Sequence, residues 1–300
     1  MMQRLNTVVL TAALAWPSVG FGYCRTTTCA QTNPPAECVP GDVIDGCQMS
    51  GLELYWAKPC VSFSVQQDGS AKSNITAEQL ETVVRGCFDN WQNAACEGGG
   101  SPNVTVDTFP QVECRESRYN QSAGNQNVWL FRDDDWPHVG GGAETIALTL
   151  VSFSPKTGEI YDVDVELNSK MRTFRLETTG AGDDLVSVVQ HESGHFLGLA
   201  HSNMALATMW ANYSGNVDMR TLDTDDIAGV CAIYPPVATK DAACDPVPRH
   251  GFSTKCTGSD SGGCSASCSI GKGVDDRNPA GLLVLALGTL LVRRGARRQV

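Results

Sequence analysis

Charged residues are few in this sequence, histidine is scarcer still, and long apolar runs are missing. Of the 300 residues, 18% are charged and 5 are histidine, and 22 basic residues against 33 acidic ones give a formal net charge of −11. A nucleic-acid-binding protein usually presents a basic face, so this balance argues against nucleic acid as a partner. No internal stretch reaches the roughly 18 apolar residues of a membrane-spanning helix. The hydrophobic fraction of 42% is ordinary for a globular protein and excludes wholesale disorder.

Cysteine, by contrast, is abundant. The 13 cysteines are too many for a typical reduced cytosolic protein, which predicts an oxidising compartment and disulfide bonds. Because 13 is odd, one cysteine is spare, and the twelve that remain if Cys264 or Cys268 is used elsewhere suffice for six disulfides. The sequence does not determine how they pair.

Residues 1–22 have the pattern of a secretory signal peptide. Arg4 gives a positive start, an apolar run covers residues 5–14, and the small residues Gly20 and Gly22 follow. This order predicts export with a cut near Gly22. An N-terminal membrane anchor is the alternative, for which the apolar run is too short.

The C-terminal end combines a cysteine-containing segment, a short apolar run and terminal arginines. The cysteines are Cys264 and Cys268, the apolar run covers residues 280–292, and the arginines are Arg293, Arg294, Arg297 and Arg298. Together they resemble the C-terminal sorting tag of myxobacterial surface proteins. The resemblance implies removal of the tag near Cys268 and attachment to the cell envelope, at the bacterial cell surface or outer membrane. A plain tail anchor is the alternative.

Composition divides the chain between these two ends into three parts. A Cys-rich lead-in covers residues 23–52, one continuous domain covers residues 53–236, and a Cys-, Ser- and Gly-rich linker with the sorting motif covers residues 237–279, before the hydrophobic segment and basic tail at residues 280–300. The Cys-rich lead-in lacks hydrophobic periodicity, and both Cys-rich parts are predicted to be held by disulfides.

Hydrophobic periodicity in the continuous domain predicts a strand, a helix, more strands and then two helices. Alternation over residues 61–65 predicts the first strand, and Thr76 begins a helix through Trp91. Further strands are predicted at residues 104–106, 128–131, 147–153 and 160–167, with a break at the glycine run of residues 140–142. Segregated strands and helices predict an α+β fold.

The functional signal is concentrated between His191 and His201. On a helix, His191 and His195 lie one turn apart on the same face, so both imidazoles can reach one metal ion. Glu192 is adjacent and long enough to reach a water molecule on that metal. Gly198 can take a positive φ and turn the chain sharply, which brings His201 back toward the metal. Three nitrogen ligands and one open position are typical of a catalytic zinc.

This arrangement predicts hydrolysis by an activated water molecule. Zinc lowers the pKa of its water toward about 7 and polarises a carbonyl oxygen. Glu192 takes the proton of that water and passes it to the leaving amine. A helix with three unrelated histidines is the alternative, but three of the 5 histidines fall in this one window.

The stretch from His191 to His201 matches the signature of the metzincin metalloproteases, and the match extends downstream. The residues around Met209, Ala-Thr-Met-Trp, resemble the methionine turn beneath the zinc in these enzymes. The resemblance implies that Met209 underlies the site. Residues 222–230 resemble the last helix of the matrixin branch, the matrix metalloproteinases and their bacterial relatives.

The matrixin resemblance covers about residues 53–236 and implies the metzincin fold. That fold has a small, mixed, twisted sheet, an active-site helix and a C-terminal helix. The helix at residues 76–91 becomes the backing helix of the sheet. Residues 147–153 become the edge strand that pairs with an extended substrate.

Some features of the family are absent or altered. Residues 23–60 contain no motif with a zinc-blocking cysteine, so latency by cysteine is not expected. A second, structural zinc is not predicted, because His138 is the one histidine before the active-site helix. Tyr213 takes the place of the tyrosine that lines the specificity pocket, although Ala211 and Asn212 precede it instead of proline. We assign Tyr213 to the pocket wall and leave the shape of the pocket open.

Three carboxylates on one face of the strand at residues 160–167 allow two interpretations. Asp162, Asp164 and Glu166 alternate with apolar residues. Calcium sites are common in the matrixin branch, and these side chains are candidates to bind Ca²⁺. A solvated strand face is the interpretation that we favour.

The sequence therefore predicts a secreted, surface-retained zinc endopeptidase that acts on protein or peptide substrates, and we expect a monomer. Glu192 is the predicted catalytic residue, and the predicted zinc ligands are His191, His195 and His201. The rival is a binding or structural surface protein that keeps the fold but cleaves nothing. Such a binder has no reason to keep Glu192, so this residue favours the enzyme.

Overall fold

The computed structural model describes residues 22–30, 38–39, 41–138 and 144–256, together with the backbone of Gly281–Val284. In chain order the strands are β1 (Cys24–Arg25), β2 (Val43–Ile44), β3 (Cys47–Gln48), β4 (Cys60–Val65), β5 (Ser101–Pro102), β6 (Thr105–Thr108), β7 (Val128–Phe131), β8 (Ala147–Phe153), β9 (Ile160–Leu167), β10 (Phe174–Arg175), β11 (Asp183–Asp184), β12 (Leu199–Ala200), β13 (Pro236–Val237) and β14 (Gly281–Val284). The α-helices are α1 (Ala77–Gln92), α2 (Leu185–Phe196) and α3 (Thr224–Ile233), and a 3₁₀ turn covers Asp218–Arg220. None of the helices in the described part of the chain is both long and apolar enough to cross a membrane.

The main sheet is mixed, with the strand order β14-β8-β9-β7-β4-β6. Strands β6, β4, β7 and β9 run parallel to one another, and β8 is antiparallel to β9. The predicted α+β fold is confirmed, with α1 behind the sheet, α2 as the active-site helix and α3 as the C-terminal helix. The strand predictions for β7, β8 and β9 agree with the structure at both ends.

Helix α1 packs against the sheet through an apolar stripe, and a capping box defines where the helix begins. The Thr76 hydroxyl accepts a hydrogen bond from Gln79 N at 3.2 Å, and the Gln79 side chain accepts one from Thr76 N at 2.9 Å. This capping box fixes the first turn. Further along the stripe, the Phe88 ring lies 5.4 Å from Phe63 of β4 and 4.8 Å from Phe196 of α2. One aromatic side chain therefore joins the sheet to both helices.

Five disulfides join cysteines of the described residues: Cys24–Cys47, Cys29–Cys38, Cys60–Cys244, Cys96–Cys231 and Cys114–Cys256. The bonds of Cys244 and Cys256 tie the segment after residue 236 to the main domain. Cys87 is a free thiol buried in α1, so the described residues place an unpaired cysteine there and not in the sorting motif, whose Cys264 and Cys268 lie outside the described ranges. The Sγ of Cys87 donates to Val186 O of α2 at 3.7 Å, and α2 contains no cysteine to pair with it.

The acidic face of β9 is buried, so the expectation of a solvated face is wrong. Asp162, Asp164 and Glu166 are 2%, 2% and 1% exposed. Glu166 pairs with Arg132 at 2.6 Å and with His138 at 2.7 Å. Burial opposes its ionisation, but these hydrogen bonds lower the pKa of Glu166 to about 2. Burial raises the pKa of Asp162 to about 7, and burial together with the neighbouring Asp162 raises the pKa of Asp164. The acidic face can be buried because Glu166 is paired with Arg132 and because burial favours the neutral form of the two aspartates.

Several predictions concern residues outside the described ranges. These are the signal peptide before Gly22, the glycine run at residues 140–142, and Cys264 and Cys268 of the proposed sorting motif. Of the apolar run at residues 280–292, the backbone of β14 is described.

Candidate metal centre and active site

Helix α2 is a buried helix whose first turn is fixed by charged contacts. Its N-cap, Asp184, is fully buried and pairs with Arg175 at 2.9 Å and with Arg220 at 2.5 Å. The two guanidinium groups offset the cost of burying this carboxylate. The helix is therefore a rigid support for His191 and His195, which lie one turn apart on it.

The three predicted zinc ligands converge. The ring centroids of His191, His195 and His201 lie 4.7 to 5.2 Å apart, and one ligand atom of each lies within 4.8 Å of the others. Nδ1 of His191 lies 2.7 Å from Thr208 O, and Nδ1 of His195 lies 2.8 Å from Leu199 O. Because a carbonyl oxygen only accepts hydrogen bonds, both Nδ1 atoms carry the proton. The Nε2 lone pairs are then directed to the centre of the cluster.

The environment of the cluster fits a divalent metal. Nε2 of His191 and of His201 are buried and have no hydrogen-bond partner among the described residues. Burial lowers the pKa of His191 to about 4 and, together with the charge of His191, lowers that of His201 to about 3. Both imidazoles are therefore neutral at physiological pH, as metal ligands must be. Three imidazoles whose ligand atoms converge match the nitrogen donors that zinc prefers.

Gly198 makes the turn that brings the third histidine back, as the spacing predicts. Its φ is +98°, and a Cβ at this position would lie 2.7 Å from Leu54 O. Both conditions favour glycine. After the turn, β12 pairs antiparallel with β1, and this pairing directs the chain toward His201.

Met209 is buried against the active-site helix, next to Gly194 of α2. It is 1% exposed, and a Cβ added to Gly194 of α2 would collide with its Sδ. Met209 O accepts from Ser202 N at 2.8 Å. Asp226 of α3 accepts from Thr208 N at 2.7 Å and from Met209 N at 3.0 Å. The turn that carries Met209 is thus held by the last helix.

Glu192 is buried beside the histidines. It is 1% exposed, and its Oε2 accepts a hydrogen bond from Thr149 Oγ1 of β8 at 2.5 Å. Burial raises the pKa of the Glu192 carboxyl to about 8, against the opposing effect of the Thr149 hydrogen bond. A carboxyl group in this range can accept and release a proton near neutral pH.

Comparison with known proteins agrees with this geometry. Residues 55–235 match the family model described as Matrixin. The chain belongs to the matrixin family. It is 46% identical over 182 residues to karilysin of Tannerella forsythia, which covers 60% of this chain and 33% of karilysin. It is 26% identical over 180 residues to human matrix metalloproteinase-19, which covers 60% of this chain and 30% of that protein.

This matrixin is similar to parts of its relatives rather than to their whole length. The match with the hatching enzyme of Paracentrotus lividus is 39% identical over 83 residues and covers 13% of that enzyme. The chain spans a third or less of karilysin, of matrix metalloproteinase-19 and of the hatching enzyme. The residues that match the family model, 55–235, include the histidine cluster and strands β4, β6, β7, β8 and β9 of the main sheet.

The structure of this matrixin shows what surrounds two groups that were assigned from the sequence, Tyr213 and the acidic residues of β9. Tyr213 is 2% exposed, and its hydroxyl accepts a hydrogen bond from Asp184 N at 2.7 Å, so it contacts the start of α2. Of the three carboxylates considered for calcium, Glu166 is occupied by Arg132 and His138. Among the described residues, the group of histidine, cysteine and acidic side chains that lies close enough together to hold one metal ion is His191, His195 and His201.

Sequence reasoning did not assign roles to Thr149 and Asp226. Thr149 interrupts an apolar face of β8, and that interruption is the signal that marks it. Asp226 is one of two aspartates in the first turn of α3. Acidic residues are common there, so nothing in the sequence distinguishes Asp226 from an ordinary residue at the start of a helix. Burial raises the pKa of the Asp226 carboxyl to about 6.

Proposed function

We propose that this matrixin is a zinc endopeptidase that hydrolyses internal peptide bonds of extended polypeptides. The observation that carries the proposal is the buried Glu192 carboxylate beside three converging histidines. The Nδ1 atoms of His191 and His195 are held by carbonyl oxygens, so the cluster is organised for a metal in advance of binding.

The proposed roles of the metal and of the surrounding residues follow from the chemistry of their side chains. Zinc, when bound, supplies a Lewis acid that lowers the pKa of a water molecule and polarises the scissile carbonyl. Glu192 takes a proton from the attacking water and delivers it to the leaving amine nitrogen. His191, His195 and His201 hold the metal, and Met209 supports the floor of the site.

The outer edge of β8 supports the proposal of an extended substrate. Strand β14 pairs antiparallel with this edge, with Gly281 opposite Phe153 and Val284 opposite Leu150. An extended peptide on this edge would make main-chain hydrogen bonds of the same kind. The next residue of β8, Thr149, contacts Glu192. A chain on this edge is therefore led toward the histidine cluster.

The purified full chain is expected to contain one zinc ion and to lose peptide hydrolysis on chelation, because three histidines fill three of the four positions of a catalytic site. Metal content by mass spectrometry and product analysis on an unfolded protein test this together. We expect internal cuts with an apolar residue just after the cut. Activity should return when zinc is added back to the chelated protein.

Two results would contradict the proposal. Full activity in a metal-free preparation would remove zinc from the reaction, and trimming from chain ends alone would exclude an endopeptidase. A chain that holds zinc tightly but cleaves no peptide would favour the rival function, a surface binding or structural protein of the same fold.

We also propose that the protein is exported and stays at the cell surface. Five disulfides among the described residues are typical of an oxidising compartment. At the proposed cut, Tyr23 N lies 3.0 Å from Asp225 Oδ1. Cleavage after Gly22 would turn this amide into an ammonium group beside a carboxylate, which favours a well-held mature N-terminus.

A variant that lacks residues 269–300 is expected to appear in the medium in active form, because all five described disulfides remain. Its KM for extended peptides should be severalfold lower than that of the full chain, since removal of β14 opens the edge of β8. Cell fractionation and steady-state kinetics on both forms check this. Intact-mass analysis of the natural surface form decides between removal of the tail and a tail anchor: a mature protein that retains residues 282–291 would contradict the sorting proposal.

A further inference from the structure

Thr149 is a polar residue on an apolar face of strand β8. Its neighbours on that face, Ala147, Val151 and Phe153, are members of the buried hydrophobic core, and Thr149 itself is 0% exposed. Side chains alternate along a strand, so these four residues point to the same side. A hydroxyl group in such surroundings is costly unless it has a hydrogen-bond partner.

The partner of the Thr149 hydroxyl is the carboxylate of Glu192. The distance from Oγ1 to Oε2 is 2.5 Å, and both side chains are buried. The Thr149 hydroxyl is the donor, and the Oε2 oxygen of Glu192 accepts. Within the part of the chain that the structure describes, Glu192 has no second donor.

We propose that Thr149 is a positioning residue for Glu192, an inference that rests on the proposed peptidase function. The terminal torsion of a glutamate side chain has a broad distribution, so its carboxylate rotates easily unless one oxygen is held. Thr149 holds Oε2, which leaves Oε1 for proton transfer with the attacking water. Strand β8 then sets both the edge that receives the substrate and the orientation of the proton carrier.

The test compares two substitutions that differ in the hydroxyl group. Thr149→Val removes the hydroxyl at nearly constant shape, and Thr149→Ser keeps it. We expect Thr149→Val to lower kcat by about tenfold or more, the cost of a lost hydrogen bond to a charged group, with little change in KM or zinc content. Thr149→Ser should recover most of kcat. Ser152→Ala, on the same strand but pointing to the opposite face, is the matched control and should behave like the unmodified chain.

A second measurement does not depend on activity. Thr149→Val should lower the unfolding midpoint of the zinc-loaded chain when Glu192 is present. It should leave the midpoint unchanged, or raise it, in a Glu192→Ala background. This double-mutant cycle isolates the contact between the two side chains.

The outcomes separate the inference from the proposed function. A Thr149→Val variant with an unchanged kcat, or a Thr149→Ser variant as impaired as Thr149→Val, would overturn the positioning role. An unmodified chain that shows the stability coupling but cleaves no peptide would overturn the proposed function and, with it, the catalytic purpose of the contact. Coupling together with recovery by serine supports both.

Discussion

Replacing Glu192 with glutamine is expected to leave zinc in place and to reduce kcat for peptide hydrolysis by roughly 10²- to 10⁴-fold, the usual contribution of a positioned proton carrier. Glutamine keeps the shape of the side chain, and its amide oxygen can still accept the Thr149 hydrogen bond. It cannot take a proton from water. Because Glu192 is buried, no bulk carboxylate can substitute for it at the site.

The measurement is single-turnover hydrolysis of an internally cleaved peptide, with zinc content determined on the same sample. Glu144→Gln, at an exposed glutamate just before β8, makes the same chemical change away from the cluster and should leave kcat unchanged. A Glu192→Gln variant that hydrolyses peptide at close to the unmodified rate would refute the assigned role. Loss of zinc along with activity would instead assign Glu192 to metal binding.

Local periodicity determined which parts of the fold were predictable. The ends of β7 and β8 were predicted from short runs of mostly apolar residues, and those of β9 from the alternation of apolar and acidic residues. The spacing of His191 and His195 on a helix, with Gly198 before His201, placed the metal cluster. Each of these patterns is complete within a dozen residues, so no distant contact was needed to interpret it.

The acidic face of β9 shows what a local sequence pattern does not predict, namely whether a face of a strand is buried. Alternation predicted that Asp162, Asp164 and Glu166 share a side, and this is correct. It contained no information about what covers that side. Arg132 follows β7 directly in the chain, and His138 lies further along, so the neutralisation of Glu166 depends on how the strands are ordered in the sheet. A buried charge of this kind is indistinguishable in sequence from a solvated one.

Disulfides and hydrogen bonds between residues far apart in the sequence could not be predicted for the same reason. The Cys60–Cys244 disulfide spans 184 residues, and Cys114–Cys256 spans 142. Both hold residues that composition alone described as a linker. The contact between Thr149 and Glu192 crosses 43 residues. It becomes visible when β8 and α2 are placed together, because a single threonine in an apolar strand has many ordinary explanations.

Replacing Gly198 with alanine is the second change from which we expect a large effect. The φ of +98° costs an L-residue roughly 1 to 2 kcal/mol. In addition, the new Cβ would lie 2.7 Å from Leu54 O, which is backbone and cannot rotate away. The turn must therefore shift, and His201, three residues on, shifts with it. We expect zinc affinity to fall by about 10- to 100-fold, comparable to the loss of a group that orients a metal ligand, and peptidase activity to fall with it.

Gly251→Ala separates the two contributions, because Gly251 has a similar φ of +94° and nothing within 4 Å of its ideal Cβ position. The Gly251→Ala control should lose a comparable amount of folding stability through backbone strain and should bind zinc as tightly as the unmodified chain. Competition with a chromophoric chelator at fixed pH measures affinity, and thermal unfolding of the metal-free proteins measures the strain separately. If Gly198→Ala binds zinc as tightly as Gly251→Ala does, the turn at residue 198 is not what positions His201. Weakened zinc binding in Gly198→Ala alone assigns the effect to the close approach of Leu54, because both variants carry the same backbone strain.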